Sequence, residues 1–146
     1  MRVLIANRGE IAIRIMRSLR EMGVESVAIY SEADRDALHP KFTDQSIAIG
    51  GNAPAESYLD MSKVISAAQE SGADAIHPGY GFLSERAEFA DECRKAGIKF
   101  IGPSPEAMRA LGGKIESKQI AVAAGVPITP GFFEPGATDS QLERAA

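Results

Sequence analysis

One arrangement recurs along the chain: a helical stretch, then glycine, then a short apolar run. The glycines are Gly23, Gly72, Gly97 and Gly125, and the runs behind them cover residues 24–30, 73–77, 98–101 and 126–129. Glycine just past a helix end accepts the left-handed conformation that closes the last turn. A short continuous apolar run suits a strand buried on both faces. Helices alternating with such strands predict an α/β fold, a Rossmann-like open parallel sheet with helices on both faces. The fourth run is interrupted by Pro127 and Pro130 and reads as a loop or an edge segment.

The first unit shows the change of period. Val3, Leu4, Ile5 and Ala6 are continuous and apolar; from Glu10 onward Ile11, Ile15, Leu19 and Met22 fall on one helical face. Arg14, Arg17 and Glu21 line up on another, with Glu10 one turn before Arg14 for an ion pair. Those charges fit either a solvated face or a partner surface, where arginine is favoured. After Tyr30 a polar loop, Ser31-Glu32-Ala33-Asp34-Arg35-Asp36, leads to a short strand near 46–49. Asp60 is placed to cap a helix whose apolar face is Met61, Val64, Ile65 and Ala68. Ser84 is the expected cap of the next helix, with Glu85 and Glu88 near its positive end. A short helical C-terminal extension follows, one helix opened by Gly102-Pro103-Ser104-Pro105 and ending at Leu111, another over 114–124. Residues 131–146 have few apolar anchors and end within a starting helix, so the chain is expected to be cut there rather than finished.

Composition narrows the function classes. The 146 residues, 45% apolar and 25% charged, are enough to bury a core. A net charge of −4 argues against a nucleic-acid surface. No apolar run approaches the roughly 18 residues of a membrane span, and the first residues lack the apolar region of a signal peptide. Cys93 is the only cysteine and cannot form an internal disulfide, which points to a reducing, cytoplasmic location. Lying between Glu92 and Arg94 with no base beside it, it reads as structural or solvent-facing.

Glycine-bearing turns invite phosphate-site readings. Leu111-Gly112-Gly113-Lys114-Ile115 is not a P-loop, because Met108 and Ile115 stand where that motif needs Gly and Ser or Thr. Gly79-Tyr80-Gly81-Phe82-Leu83-Ser84 comes within one residue of a dinucleotide fingerprint but lies in the wrong unit. The first strand–helix turn holds only Asn7-Arg8-Gly9, although Glu32 sits at a plausible distance for a ribose hydroxyl. Asn7, Arg8 and Glu10 either line the crevice beyond the sheet or cap and pair within the first turn. His77, at a strand end before Pro78, reads as a structural histidine, and nothing singles out His39. No His, Cys or carboxylate cluster has metal-ligand spacing.

Five segments carry a resemblance. Ala6-Asn7-Arg8-Gly9-Glu10-Ile11-Ala12, Ser31-Glu32-Ala33-Asp34-Arg35, His77-Pro78-Gly79-Tyr80-Gly81-Phe82-Leu83-Ser84-Glu85, Phe100-Ile101-Gly102-Pro103 and Gly113-Lys114 resemble, in order and spacing, the start of biotin carboxylases. The resemblance runs from Met1 to about Gly131. It implies that residues 1–112 form the N-terminal domain that precedes an ATP-grasp domain, with 113–146 the start of the ATP-grasp region. The whole enzyme is then a ligase that uses ATP and Mg2+ to activate bicarbonate as carboxyphosphate and carboxylates biotin on a carrier protein. The implied partners are the biotin carboxyl carrier protein, a carboxyltransferase and a second copy in a homodimer. The final carboxyl acceptor, acetyl-CoA, propionyl-CoA, pyruvate or another, is not written in these residues.

Residue by residue, the resemblance makes Lys114 the lysine that reaches the nucleotide phosphates, against a surface lysine at a helix start. It makes Tyr80 and Gly81 the turn bordering the biotin pocket, against a tight turn with Tyr80 packed on the sheet. Arg14, Arg17 and Glu21 correspond to the dimer face. Many members carry an acidic residue where this chain has Gly113, which leaves Lys114 without an adjacent carboxylate. The Mg2+ ligands and the catalytic residues belong to later parts of the family's sequence, so these 146 residues alone are not expected to show bicarbonate-dependent ATPase activity. The competing readings are a non-catalytic dimerisation or docking module, another ATP-grasp ligase such as carbamoyl-phosphate synthetase, and an NAD-binding oxidoreductase.

Overall fold

The apolar run that opens the chain becomes the middle of the sheet. The computed structural model describes residues 1–129, Gly136 and 138–145. Its strands are β1 (Arg2–Ile5), β2 (Glu25–Tyr30), β3 (Gln45–Ala48), β4 (Ala75–His77) and β5 (Lys99–Phe100). They form one sheet in the order β3-β2-β1-β4-β5, and every pairing is parallel. With neighbours on both sides and helices above and below, Val3, Leu4 and Ile5 are fully buried.

Alternation along β1 divides the core into two layers. Val3 and Ile5 meet α1 (Gly9–Glu21) through Ala12, Ile15, Met16 and Leu19. Leu4 faces the other way, together with Val27, Ile29 and Ile76, onto α2 (Met61–Glu70) and α3 (Ala87–Lys95). Val64, Ala67 and Ala68 come from α2, and Phe89 and Cys93 from α3. The α/β architecture with helices on both faces is therefore as the recurring glycine pattern predicts. Gly23, Gly72, Gly97 and Gly125 all have φ between 63° and 72°, the left-handed turn that ends each helix.

Local details differ from the sequence reading. On α1 the buried stripe is 12, 15, 16 and 19, the i, i+3, i+4, i+7 set; Met22 lies past the last helical residue and is 69% exposed. Arg14 does not pair with Glu10; its Nη1 lies 3.4 Å from Ser18 Oγ, one turn on. Asp60 caps α2 as expected, its Oδ1 accepting from the backbone N–H groups of Ser62 (3.0 Å) and Lys63 (3.2 Å). Ser84 does not cap α3, for a reason that belongs to the functional turn described below.

The chain forms two compact units, Met1–Pro105 and Glu106–Ala146. The second contains α4 (Pro105–Leu111), α5 (Lys114–Ala123) and α6 (Asp139–Ala145). Between α4 and α5, Gly112 donates to the Met108 carbonyl at 2.8 Å, and a Cβ on Gly112 would stand 2.6 Å from that oxygen. Residues 126–129 have no regular structure, in line with Pro127; Pro130 and 131–135 lie outside the described residues. No helix among the described residues is long and apolar enough to cross a membrane.

Candidate functional site

From β1 the chain steps outward to β2 and β3, then returns to the opposite side of β1 to lay down β4. In open α/β sheets ligands settle beyond the carboxyl ends of the strands at such a reversal. Here the loops leaving β1 and β4 meet. Asn7 joins them: buried at 3% exposure, it donates through Nδ2 to the carbonyls of Pro78 (2.9 Å) and Tyr80 (2.8 Å). Its Oδ1 accepts from Arg8 N–H at 2.9 Å.

The turn after β4 is built around this amide. Gly79 has φ +66°, and a Cβ there would stand 2.7 Å from Asn7 Nδ2 and 3.2 Å from Ile11 Cγ1. Its N–H donates to His77 Nδ1 at 3.0 Å, so His77 is neutral with its proton on Nε2. Burial pushes the His77 pKa below its ordinary 6.5, which favours that state. Gly81 (φ +68°) and Phe82 (φ +44°) continue the left-handed path. The carbonyls of Gly81 and Leu83 accept from the N–H groups of Ser84 (2.9 Å) and Arg86 (3.1 Å), and Leu83 is buried as an anchor. Those turns occupy 82–85, so α3 starts only at Ala87, with Arg86 as its first flanking residue and no side-chain cap. That corrects the placing of Ser84 as a helix cap: the backbone is already committed to a turn there.

Residues 7–11 from the first loop and 80–82 from the second line an open groove of about 350 Å³. Tyr80 is 65% exposed, which rules out a ring packed on the sheet. A Cβ on Gly81 would meet nothing within 4 Å, so the backbone there is open to a ligand. The carbonyls of Pro78, Tyr80 and Gly81 are all engaged, whereas nothing among the described residues accepts from the N–H groups of Gly81 and Phe82. The turn therefore offers hydrogen-bond donors. A larger depression, about 660 Å³, lies between α2 and α3 and is lined by Leu59, Met61, Ile65 and surface carboxylates. It is away from the strand ends, and we place the site in the smaller groove, where two of the sequence segments converge.

A third segment stands behind the groove. Arg8 Nη1 reaches Asp34 Oδ2 at 3.2 Å, in the loop after β2. Its guanidinium carbon lies 5.7 Å from the Tyr58 ring centre and 5.8 Å from that of Phe82. Arg8 thus lines the groove, and its pairing is with the loop after β2 rather than within the first turn. Glu32 is held by Arg35 through Nε–Oε1 (2.9 Å) and Nη2–Oε2 (2.7 Å), an engagement that weakens the dinucleotide reading.

Arg14, Arg17 and Glu21 are exposed together on α1. The Arg17 guanidinium lies 6.0 Å from the Phe42 ring centre, and Arg20 covers the same ring at 4.4 Å. In the second unit Lys114 is exposed at the first position of α5. The Glu116 carboxylate occupies the space that a Cβ on Gly113 would take, so a carboxylate is present near this turn although residue 113 is not acidic. Among the described residues no group of three His, Cys, Asp or Glu is placed to hold a metal ion.

Sequence reasoning passed over His39 and Tyr58. His39 is fully buried, with Nε2–H donating to the Ile29 carbonyl at 3.2 Å and Nδ1 without a partner among the described residues. Tyr58, 1% exposed, stacks on Phe82 with ring centres 5.1 Å apart and planes 12° from parallel. Its only signal in the sequence is an aromatic ring in a polar stretch.

Comparison with known proteins identifies relatives of the chain. A family profile for the biotin carboxylase N-terminal domain matches residues 1–108. The mitochondrial pyruvate carboxylase of Rattus norvegicus is 53% identical over 135 residues, covering 92% of this chain and 12% of that protein. Biotin carboxylase 1 of Bacillus subtilis is 51% identical over 130 residues, covering 89% and 29%. The crystal structure of a biotin carboxylase–beta-gamma-ATP complex from Campylobacter jejuni superposes with a TM-score of 0.91 at 49% identity, covering 99% of this chain and 32% of that one. The chain spans 12–30% of the length of the curated relatives it matches. With its parallel sheet, its clamped glycine turn and its match over residues 1–108, the chain belongs to the biotin carboxylase N-terminal domain family.

Proposed function

We propose that this chain is the N-terminal part of an ATP-dependent biotin carboxylase and that the groove between the β1 and β4 loops borders the biotin site. The observation that carries the reading is the pair of N–H groups at Gly81 and Phe82, which have no acceptor among the described residues and are matched to the carbonyl oxygen of a ureido ring. A groove of about 350 Å³ suits a small bicyclic ring and falls at the low end of ligand pockets. Asn7 and His77 hold the turn, Gly81 leaves its surface bare, and Tyr80 forms the exposed rim.

Lys114 is the candidate phosphate contact. Its compact ammonium is exposed at the N-terminus of α5, and a point charge of that kind suits a triphosphate. Bound ATP provides the phosphoryl group that activates bicarbonate, and no group of three metal ligands for Mg2+ stands among the described residues. Residues 1–112 are the proposed domain preceding ATP-grasp, and 113–146 the proposed start of the ATP-grasp region. Arg14, Arg17 and Glu21 are the proposed homodimer face, and a biotin carboxyl carrier protein and a carboxyltransferase the proposed partners, in the cytoplasm.

Kinetics on the intact protein that carries this chain test the assignment. Loss of one charged contact costs about 1.5–3 kcal/mol, so Lys114→Ala is expected to raise the KM for ATP roughly 10- to 100-fold. An unchanged KM for ATP removes Lys114 from the site. The 146 residues by themselves hold a single candidate phosphate contact, and bicarbonate-dependent ATP cleavage by them would overturn the division of labour proposed here.

A further inference from the structure

We propose that Asp34 and Tyr58, neither of which lines the groove, are positioning residues that set the shape of its Gly81–Phe82 wall and the place of Arg8. The inference rests on reading the groove as the biotin site.

Three segments distant in sequence meet at one carboxylate. Asp34 Oδ2 accepts from Tyr58 Oη (2.8 Å), Ser31 Oγ (3.0 Å) and Arg8 Nη1 (3.2 Å). Ser31 N–H donates to Tyr58 Oη at 3.0 Å, so the phenolic proton is left to point at Asp34. The phenol is thereby fixed in direction as well as place. Its ring lies flat against Phe82, a residue with a β-carbon held at φ +44°. Left-handed backbone is unfavourable for such a residue and persists only where its surroundings over-determine it. The stack on a buried, hydrogen-bonded tyrosine is that surrounding.

Arg8 completes the arrangement. Its guanidinium sits over both rings while its Nη1 is held by Asp34. Arg8 and Phe82 are both walls of the groove, and both take their positions from Asp34 and Tyr58. Burial alone would raise the Asp34 pKa, but the bonds from Tyr58, Arg8 and Ser31 outweigh it and hold the carboxyl below its ordinary 3.8. Burial pushes the Tyr58 hydroxyl up to about 12, so it remains a donor. The loop after β2 and the segment before α2 thus act on the groove without touching its contents.

The test uses the intact protein and three variants. Tyr58→Phe keeps the stack and removes the hydroxyl, Asp34→Asn keeps the shape and removes the charge, and Tyr58→Leu removes the stack as well. Small displacements of a binding wall are costly, so Tyr58→Phe and Asp34→Asn are expected to raise the KM for biotin about tenfold, and Tyr58→Leu further. The KM for ATP should stay within about twofold, because this wall does not touch the nucleotide. Amide hydrogen exchange supplies a readout without turnover: the bonded turn amides of Gly79 and Ser84 should exchange faster while β1 and β4 keep their protection. Unchanged exchange at Gly79 and Ser84 with an unchanged KM for biotin overturns the proposal. So does a loss of protection spread over β1 and β4 with both KM values rising together, which marks a general structural role. Wild-type protein without biotin-dependent turnover sinks the biotin reading instead, and the exchange data still decide whether Asp34 and Tyr58 position the turn.

Discussion

His77 and His39 lie in different segments of the chain but share one property. Burial is the leading cause that lowers each pKa below its ordinary 6.5. The sign follows from proton uptake: below pH 6.5 the unfolded chain protonates these rings before the folded one does. Their contribution to stability is therefore complete above 6.5 and is lost as the pH falls towards the folded values, by at most about 1.4 kcal/mol per pH unit for each ring. Asp34, held below 3.8, loses its contribution only at more acid pH. Thermal melts are expected to show a falling Tm between about pH 7 and pH 5, with a shallower slope in His77→Asn. A Tm flat across that interval would show that neither ring changes its protonation on folding. At this scale the sequence was readable for Tyr80 and Gly81, whose turn chemistry is local. It was silent on His39, Tyr58 and the part played by Asn7, since Asn7 finds its acceptors 71 and 73 residues away.

Among the elements, the turn after β4 shows where glycine is required by space and where by backbone alone. Gly79 and Gly81 have nearly equal φ, +66° and +68°. Only at Gly79 would a Cβ overlap another group, the Asn7 amide that joins the two loops. Gly81→Ala is expected to cost the backbone penalty of about 1–2 kcal/mol. Gly79→Ala adds the overlap and the loss of Asn7's bonds, about 1–3 kcal/mol more. Denaturant midpoints of the two variants check the order; equal losses would mean that Asn7 moves aside without effect. The same turn explains why helix starts were unevenly legible. Asp60 stands immediately before the first residue of α2, and capping rules suffice. Ser84 has the right side chain in a stretch already folded by the Gly81 carbonyl and the buried Leu83, neither of which capping rules register.

Across the molecule, the parallel sheet, its two helical layers and the groove at the reversal beside β1 follow from a pattern visible in the chain, because buried strands and helix-ending glycines are local signals. The network from Ser31 through Asp34 to Arg8 follows from topology, which brings the loops of β1, β2 and β4 to one end of the sheet. One element of the core gives the chain a built-in reporter. Cys93, its only thiol, is fully buried on α3 against the sheet, and burial pushes its pKa up to about 12. A thiol reagent reaches it only when the first unit opens, so its rate of labelling times that opening. Labelling without denaturant should be slow and should rise in step with global unfolding. Rapid labelling of the folded chain would instead reveal α3 lifting from the sheet by itself, and with it one end of the loop that carries the glycine turn.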